Sequence, residues 1–211
     1  MNRADLFEVK IPLRLTDVDV FISTVKSIQP SKKTLTIKEL IDGMSGQEAW
    51  KKITPDGIFM QVLHESPLLK EGSELSKNAL MLWGIVLCGG KSKIKVKAFY
   101  DVLQDNNQER ISAEDKDFPG NFTLMVDLAT QLVNTYEARD SGKTPEYSES
   151  FMRKLEGIRS KFAEDDFLDP VFGANSNLMR DEWEKKVLES AKWIFDSNKV
   201  RATVYARVEK E

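Results

Sequence analysis

Residues 82–133 read LWGIVLCGGKSKIKVKAFYDVLQDNNQERISAEDKDFPGNFTLMVDLATQLV. After a glycine pair, Ile94, Ala98/Phe99 and Val102/Leu103 recur every four to five residues, the stripe of an amphipathic helix. Leu124/Met125, Leu128/Ala129 and Leu132/Val133 repeat it further on. Between the two stripes lie twelve mostly polar residues, Gln104 to Asp115, whose single branched apolar side chain is Ile111. The stretch therefore predicts helix, polar loop, helix.

The same alternation extends outward. Val18, Phe21/Ile22 and Val25 form a stripe behind Thr16, a candidate N-cap, and it ends before Gln29-Pro30. Thr36 opens a second helix through Leu40, Ile41 and Met44. Ile58, Phe59, Val62 and Leu63 predict a third, and Leu75 to Cys88 a strongly apolar fourth that stops at Gly89-Gly90. Beyond Tyr136, Glu137 to Ser150 is rich in charge and turn formers and is the best linker candidate. Helical spacing returns over Phe151–Phe162 and Trp183–Phe195, separated by a long loop, EDDFLDPVFGANSN. Met1 to Arg14 reads as a short arm, and Asn198 to Glu211 as either a strand or a last helical turn. Four helix-loop-helix units result, at roughly 16–48, 55–89, 91–135 and 147–196. A repeated motif that cannot bury its apolar face alone implies pairing, first with second and third with fourth.

The chain has 211 residues, enough for one large or two small cores. It carries 41% hydrophobic and 31% charged residues and a net charge of −3, which leaves no basic footprint for nucleic acid. Lys91, Lys93, Lys95 and Lys97 make the densest basic run, and their alternate spacing scatters them around a solvated helix start. Cys88 is the only cysteine, so no intrachain disulfide forms, and its apolar surroundings make it a small core residue. The first residues lack the apolar segment of a signal peptide, and no apolar run is long enough to span a bilayer, so a cytoplasmic setting is expected.

Catalytic motifs are missing. GIVLCGGKS fails the phosphate-loop pattern G-x-x-x-x-G-K-S by one residue, and its middle is core-like. His64 is the only histidine, which excludes any two-histidine mechanism. Trp83 and Trp183 fall on apolar stripes; Trp193 is offset from its stripe and could face a partner.

A helix, a twelve-residue polar loop with a branched apolar residue at its eighth position, and a second helix resemble an EF-hand. Aligned on that position, the four loops place Leu35, Leu75, Ile111 and Leu178 in register. The segments LTIKEL and LMRDEW look like exit-helix starts, with Glu39 and Glu182 at position twelve; the others have Ala79 and Asp115. The chain is similar to four-EF-hand proteins of the calmodulin and neuronal-calcium-sensor type. The resemblance implies an all-α fold of two lobes of paired helix-loop-helix units, residues 1–90 and 91–211, with the linker 137–150 in the second. It departs from the family where the family binds metal. Position one, an aspartate there, is Ile28, Leu68, Gln104 and Val171, and the position-six glycine is Lys33, Ser73, Glu109 and Ser176. Calcium needs six to eight oxygens, which such loops do not offer in the usual way. The nearest approaches to a metal set are Asn106, Gln108 and Asp115 (with Ser112), and Asn175, Asn177 and Glu182, with Asp165, Asp166 and Asp169 leading into the last loop. The expectation is a non-enzymatic, cofactor-free binding or scaffold subunit, with calcium the one candidate ion. The alternative is a calcium sensor or buffer using a non-standard loop at 104–115 or 165–182. The expected partner is a protein, presenting an amphipathic helix to a groove that Met81, Trp83, Met125 and Trp193 help to line.

Overall fold

The structure, a computed structural model, describes residues 3–104 and 109–210. It is all-α, with only short paired strands. In chain order the elements are α1 (Arg3–Glu8), α2 (Val18–Ser27), β1 (Thr34–Leu35), α3 (Ile37–Met44), α4 (Ile58–Glu65), β2 (Lys70–Glu71), β3 (Glu74–Ser76), α5 (Lys77–Leu87), α6 (Ser92–Leu103), β4 (Arg110–Ser112), α7 (Asp117–Ala129), α8 (Gln131–Ser141), α9 (Glu149–Ala163), α10 (Asp169–Phe172), β5 (Asn177–Met179), α11 (Arg180–Ser190) and α12 (Ser197–Val208).

The arrangement follows from α5. Nine of its eleven residues are buried, from Lys77 to Leu87, so it needs cover on every side. α2, α6 and α7 supply it. Phe21 of α2 lies against the α5 backbone at Gly84, where a Cβ would overlap the ring. The ends of these two helices are stitched together: the Gly89 amide donates to Thr16 O at 2.9 Å and the Val18 amide to Gly89 O at 3.0 Å. Thr16 is therefore not the cap of α2, whose N-cap position is Asp17. Its buried hydroxyl instead donates to Pro12 O and accepts from Trp50 Nε1, at 2.8 and 2.9 Å.

Aromatic rings fill the space on both sides of α5. In the N-terminal half Phe21 stacks on Trp50, Trp50 meets Phe59 edge-on, and Phe59 stacks on Trp83, with centroids 5.4–6.0 Å apart. In the C-terminal half Phe99 touches Phe118, Phe167, Trp183 and Phe195. Offset and edge-on pairs of this kind add to the ~1.5–3 kcal/mol gained by burying each large side chain. The buried apolar cluster runs without interruption past the expected boundary at residues 90 and 91, where Gly90 turns the chain at φ +122°.

The strands pair at two places. β1 runs antiparallel to β3 with Leu35 opposite Leu75, and β4 antiparallel to β5 with Ile111 opposite Leu178. The four aligned loop residues thus meet two by two, and each is buried. β2 extends the first pair as a hairpin through Gly72, which takes φ +65°.

The structure corrects four further readings of the sequence and settles the open one at the C-terminus, each where a distant partner sets the local conformation. The N-terminal arm is helical: α1 packs on α8 and buries Phe7 and Glu8. Of the two alternatives for the C-terminal tail the helical one forms, as α12, capped by the Asp196 carboxylate. Glu8 takes Arg201 of α12 at 2.6 Å and the Ser197 hydroxyl at 2.8 Å, so the two ends hold each other. The long loop after Phe162 is instead a π-turn over residues 164–168 followed by α10. Its wider turn lets Phe162 and Phe167, five apart, both enter the core. The 137–150 segment begins as helix: Glu137 is buried against Arg3 at 2.7 Å, and α8 ends at Gly142 in the left-handed region. The shorter connector left, 142–148, is pinned where Asn134 exchanges two hydrogen bonds with the Tyr147 backbone.

Lys95 is the fourth correction. Rather than sitting in a solvated run, it is buried, and its ammonium donates to Phe195 O at 2.8 Å. Burial lowers its pKa from 10.5 to about 8. Between those values the unfolded chain binds a proton that the folded chain has released. Stability gained from this group is complete above pH 10.5 and is lost as pH falls through 8. Relative to Lys95→Met, wild-type stability should rise by roughly 3 kcal/mol from pH 8 to 10.5, read from urea midpoints; a constant difference between the two would contradict the buried charge. Gly84→Ala, which forces Phe21 off α5, should cost about 1–3 kcal/mol in the same assay.

Candidate functional site

The loops between paired helices are where an EF-hand-like chain would hold an ion. At the first, Thr36 caps α3 in a capping box: its hydroxyl accepts from the Glu39 amide, and the Glu39 carboxylate accepts from the Thr36 amide at 2.7 Å. The other Glu39 oxygen accepts from the Gln29 side chain. These hydrogen bonds hold the Glu39 carboxyl below its usual range. Lys77, at the start of α5, reaches across from the second loop. Its buried ammonium donates to the carbonyls of Ile28 and Gln29, the latter at 2.8 Å. Gln29 has φ +43°, a costly conformation for a residue with a side chain, and the lysine bonds on its carbonyl and its neighbour's help to hold it. A fixed positive charge therefore sits at the opening of this loop. Burial lowers the Lys77 pKa, while Glu39 pulls it the other way. One sequence signal could have exposed this role. A lysine in the first turn of a helix opposes the macrodipole, so a strong acceptor is needed nearby.

In the second pair, Asp115 accepts from Gln104 Nε2 at 3.1 Å and from the Asp117 amide at 3.0 Å, which spends it on the approach to α7. Asn106 and Gln108 lie outside the described residues. The Asn175 amide donates to Phe172 O, and the Asn177 side chain to Ser176. Glu182 stays near Lys186 at 3.7 Å on its own helix. The acids of the π-turn face Arg207 of α12, which pairs with Asp165 and lies 3.6 Å from Asp166. Asp169 is exposed at the start of α10. Among the described residues, no three of the His, Cys, Asp and Glu side chains gather as a metal set would. Arg180 ties the pair together: it lies 4.8 Å over Tyr100 and bridges Asp101 and Glu184, each at 2.9 Å.

The four expected partner-binding residues separate. Trp83 and Met125 are core residues, 2% exposed each, so neither offers a surface in this conformation. Met81 and Trp193 are half-buried, and Trp193 packs edge-on to Phe122 and against Phe162. Cys88 is buried, which pushes its thiol up and keeps it protonated, and His64 is exposed on α4. A polar groove of about 820 Å³ runs between α8 and α9, with Gln131, Tyr147, Met152, Arg153 and Arg159 among its walls. Behind it, Asp127 pairs with Arg159 at 2.6 Å, yet burial still pushes its carboxyl up to about 6.

No protein-family model matches this chain significantly, and no curated protein or solved structure does so either.

Lys77→Met removes the cation from the first loop. It should cost about 1–3 kcal/mol, because two carbonyls lose their donor, and should speed amide exchange over residues 28–35. Unchanged stability and exchange would mean that the ammonium carries no structural load.

Proposed function

We propose that this chain is a non-enzymatic EF-hand-like scaffold that binds a protein partner without calcium. The observation that carries it is the fate of the loop acceptors. Gln29 and Thr36 occupy Glu39, Lys77 occupies the carbonyls at the first loop's opening, Gln104 engages Asp115, and Arg207 neutralises the acids before the fourth loop. A calcium ion would have to displace these protein donors before it gained a ligand, in loops whose first positions are Ile28, Leu68, Gln104 and Val171. The opposition of Leu35 to Leu75 and of Ile111 to Leu178 supports the EF-hand-like pairing, since the bridge joins corresponding residues of neighbouring loops. With the ion sites spent, the calcium-driven change of helix angle has nothing to act on, and the scaffold holds one closed state. No helix among the described residues is long and apolar enough to cross a membrane. A cytoplasmic protein that offers its surface to an amphipathic helix is the reading that these features favour.

A second reading keeps calcium at residues 104–115 or 165–182. The loose 3.7 Å contact between Glu182 and Lys186 is what favours it, because that carboxylate could be recruited. Calorimetric titration of the purified chain with calcium, magnesium present, separates the two. The scaffold reading expects no saturable heat. Binding at micromolar or tighter affinity that is lost in Asp115→Ala or Glu182→Ala would establish the sensor instead.

A further inference from the structure

We propose that the recess between the N-terminal arm and the 49–59 connector docks an acidic amphipathic helix of another protein. The proposal rests on the partner-binding reading above and assigns it a surface. The recess, about 250 Å³, is walled by Val9, Pro12, Leu15, Ile53, Ile58 and Phe59. Among the described residues six large apolar side chains are exposed, and three of them, Leu6, Val9 and Leu15, fall within these ten residues of the arm. Leu15 is the most exposed of all at 73%. Val9 and Leu15 stand on the recess wall itself, and Leu6 lies three residues before Val9 on α1. Exposed apolar side chains on the wall of a concave recess mark an interaction surface.

The charges choose the occupant. Among the described residues the ionic groups on the recess wall are Lys10 and Lys52, with no carboxylate beside them in the wall. Asp56 lies in the adjacent turn but outside the wall. Lys10 already pairs with Asp140 at 2.5 Å; Lys52 is exposed on the Trp50–Lys52 turn and faces solvent. An apolar groove edged by the solvent-facing Lys52 ammonium, with Lys10 held by Asp140 beside it, complements a helix whose apolar stripe is edged with carboxylates. A bilayer fits less well, because anionic headgroups attract clusters of several basic residues and the described recess wall carries two lysines, one of them paired with Asp140. A second copy fits less well too: a twofold interface brings the same surface to itself, so the solvent-facing Lys52 would meet a surface that offers no carboxylate from the described recess wall. Beneath the recess, Phe59 touches both Trp50 and Trp83, so occupancy should alter tryptophan emission.

The test titrates the full chain with two synthetic helices of about 18 residues, each with leucine and phenylalanine along one face. One carries glutamates beside that face, the other lysines. The acidic helix should bind with Kd in the tens of micromolar or tighter, and the lysine twin about tenfold more weakly. Leu15→Asp and Lys52→Glu, both at exposed positions, should each weaken the acidic helix about tenfold at unchanged melting temperature, and Lys52→Glu should strengthen the lysine twin. Equal binding of the twins, or no binding of either, overturns the proposal. Acidic-helix binding that neither substitution weakens overturns this surface while leaving the scaffold reading intact, whereas calcium affinity at the loops overturns the scaffold reading alone. Leu15-dependent sedimentation with phosphatidylserine vesicles, or Leu15-dependent dimerisation of the free chain, overturns it in favour of a membrane or a second copy.

Discussion

A helix buried over nearly its whole circumference has to be enclosed, and α5, with only Asn78 and Met81 partly exposed, is such a helix. Leu80, Leu82, Ile85 and Val86 point in different directions around it, and each is buried. Neither half of the chain can cover it alone: α2 approaches from the N-terminal half, α6 and α7 from the C-terminal half. The two halves therefore share one core. The close approach of Phe21 at Gly84 and the backbone bridge between Asp17 and Gly89 fix where α2 must lie. From there the ring column of Phe21, Trp50, Phe59 and Trp83 and the cluster around Phe99 build outward.

The same economy of charge runs through the loops. Lys77 belongs to the enclosed helix, yet its ammonium ends at the carbonyls that open the neighbouring loop. The cation that orders this loop is thus covalently part of the fold, present at any calcium concentration. Arg207 does similar work from α12 for the acids of the π-turn, and Arg180 joins α6 to α11 across Tyr100. Buried ion pairs are weak evidence of net stability but costly to break on one side only. Glu8 and Arg201 are of this kind: the carboxylate is 1% exposed, and the guanidinium also donates to Ala129 O at 3.1 Å, which locks both chain ends to α7.

Much of this was legible in the residues. Period and loop length placed the paired helices from α2 to α7, and alignment on the loop apolar residue named the four that meet as Leu35–Leu75 and Ile111–Leu178. Thr36, which opens the second helix in the sequence, is the N-cap of α3. What was hidden depends on contacts far apart in sequence. Nothing near Arg3 or Glu8 signals helix until Glu137 and Arg201 are brought to them. Lys95 resembles its neighbours at 91, 93 and 97 and differs only by facing Phe195. The acids at 165 and 166 looked available to a metal because Arg207, forty residues on, was invisible to local pattern.

The central claim is that the loop bridges form without an ion. Hydrogen exchange of the backbone amides in β1, β3, β4 and β5, measured in excess chelator and again in millimolar calcium, tests it most directly. The account predicts strong protection that is the same in both conditions. Protection that develops only with calcium would show that the ion, and not Lys77 and its counterparts, holds the loops together.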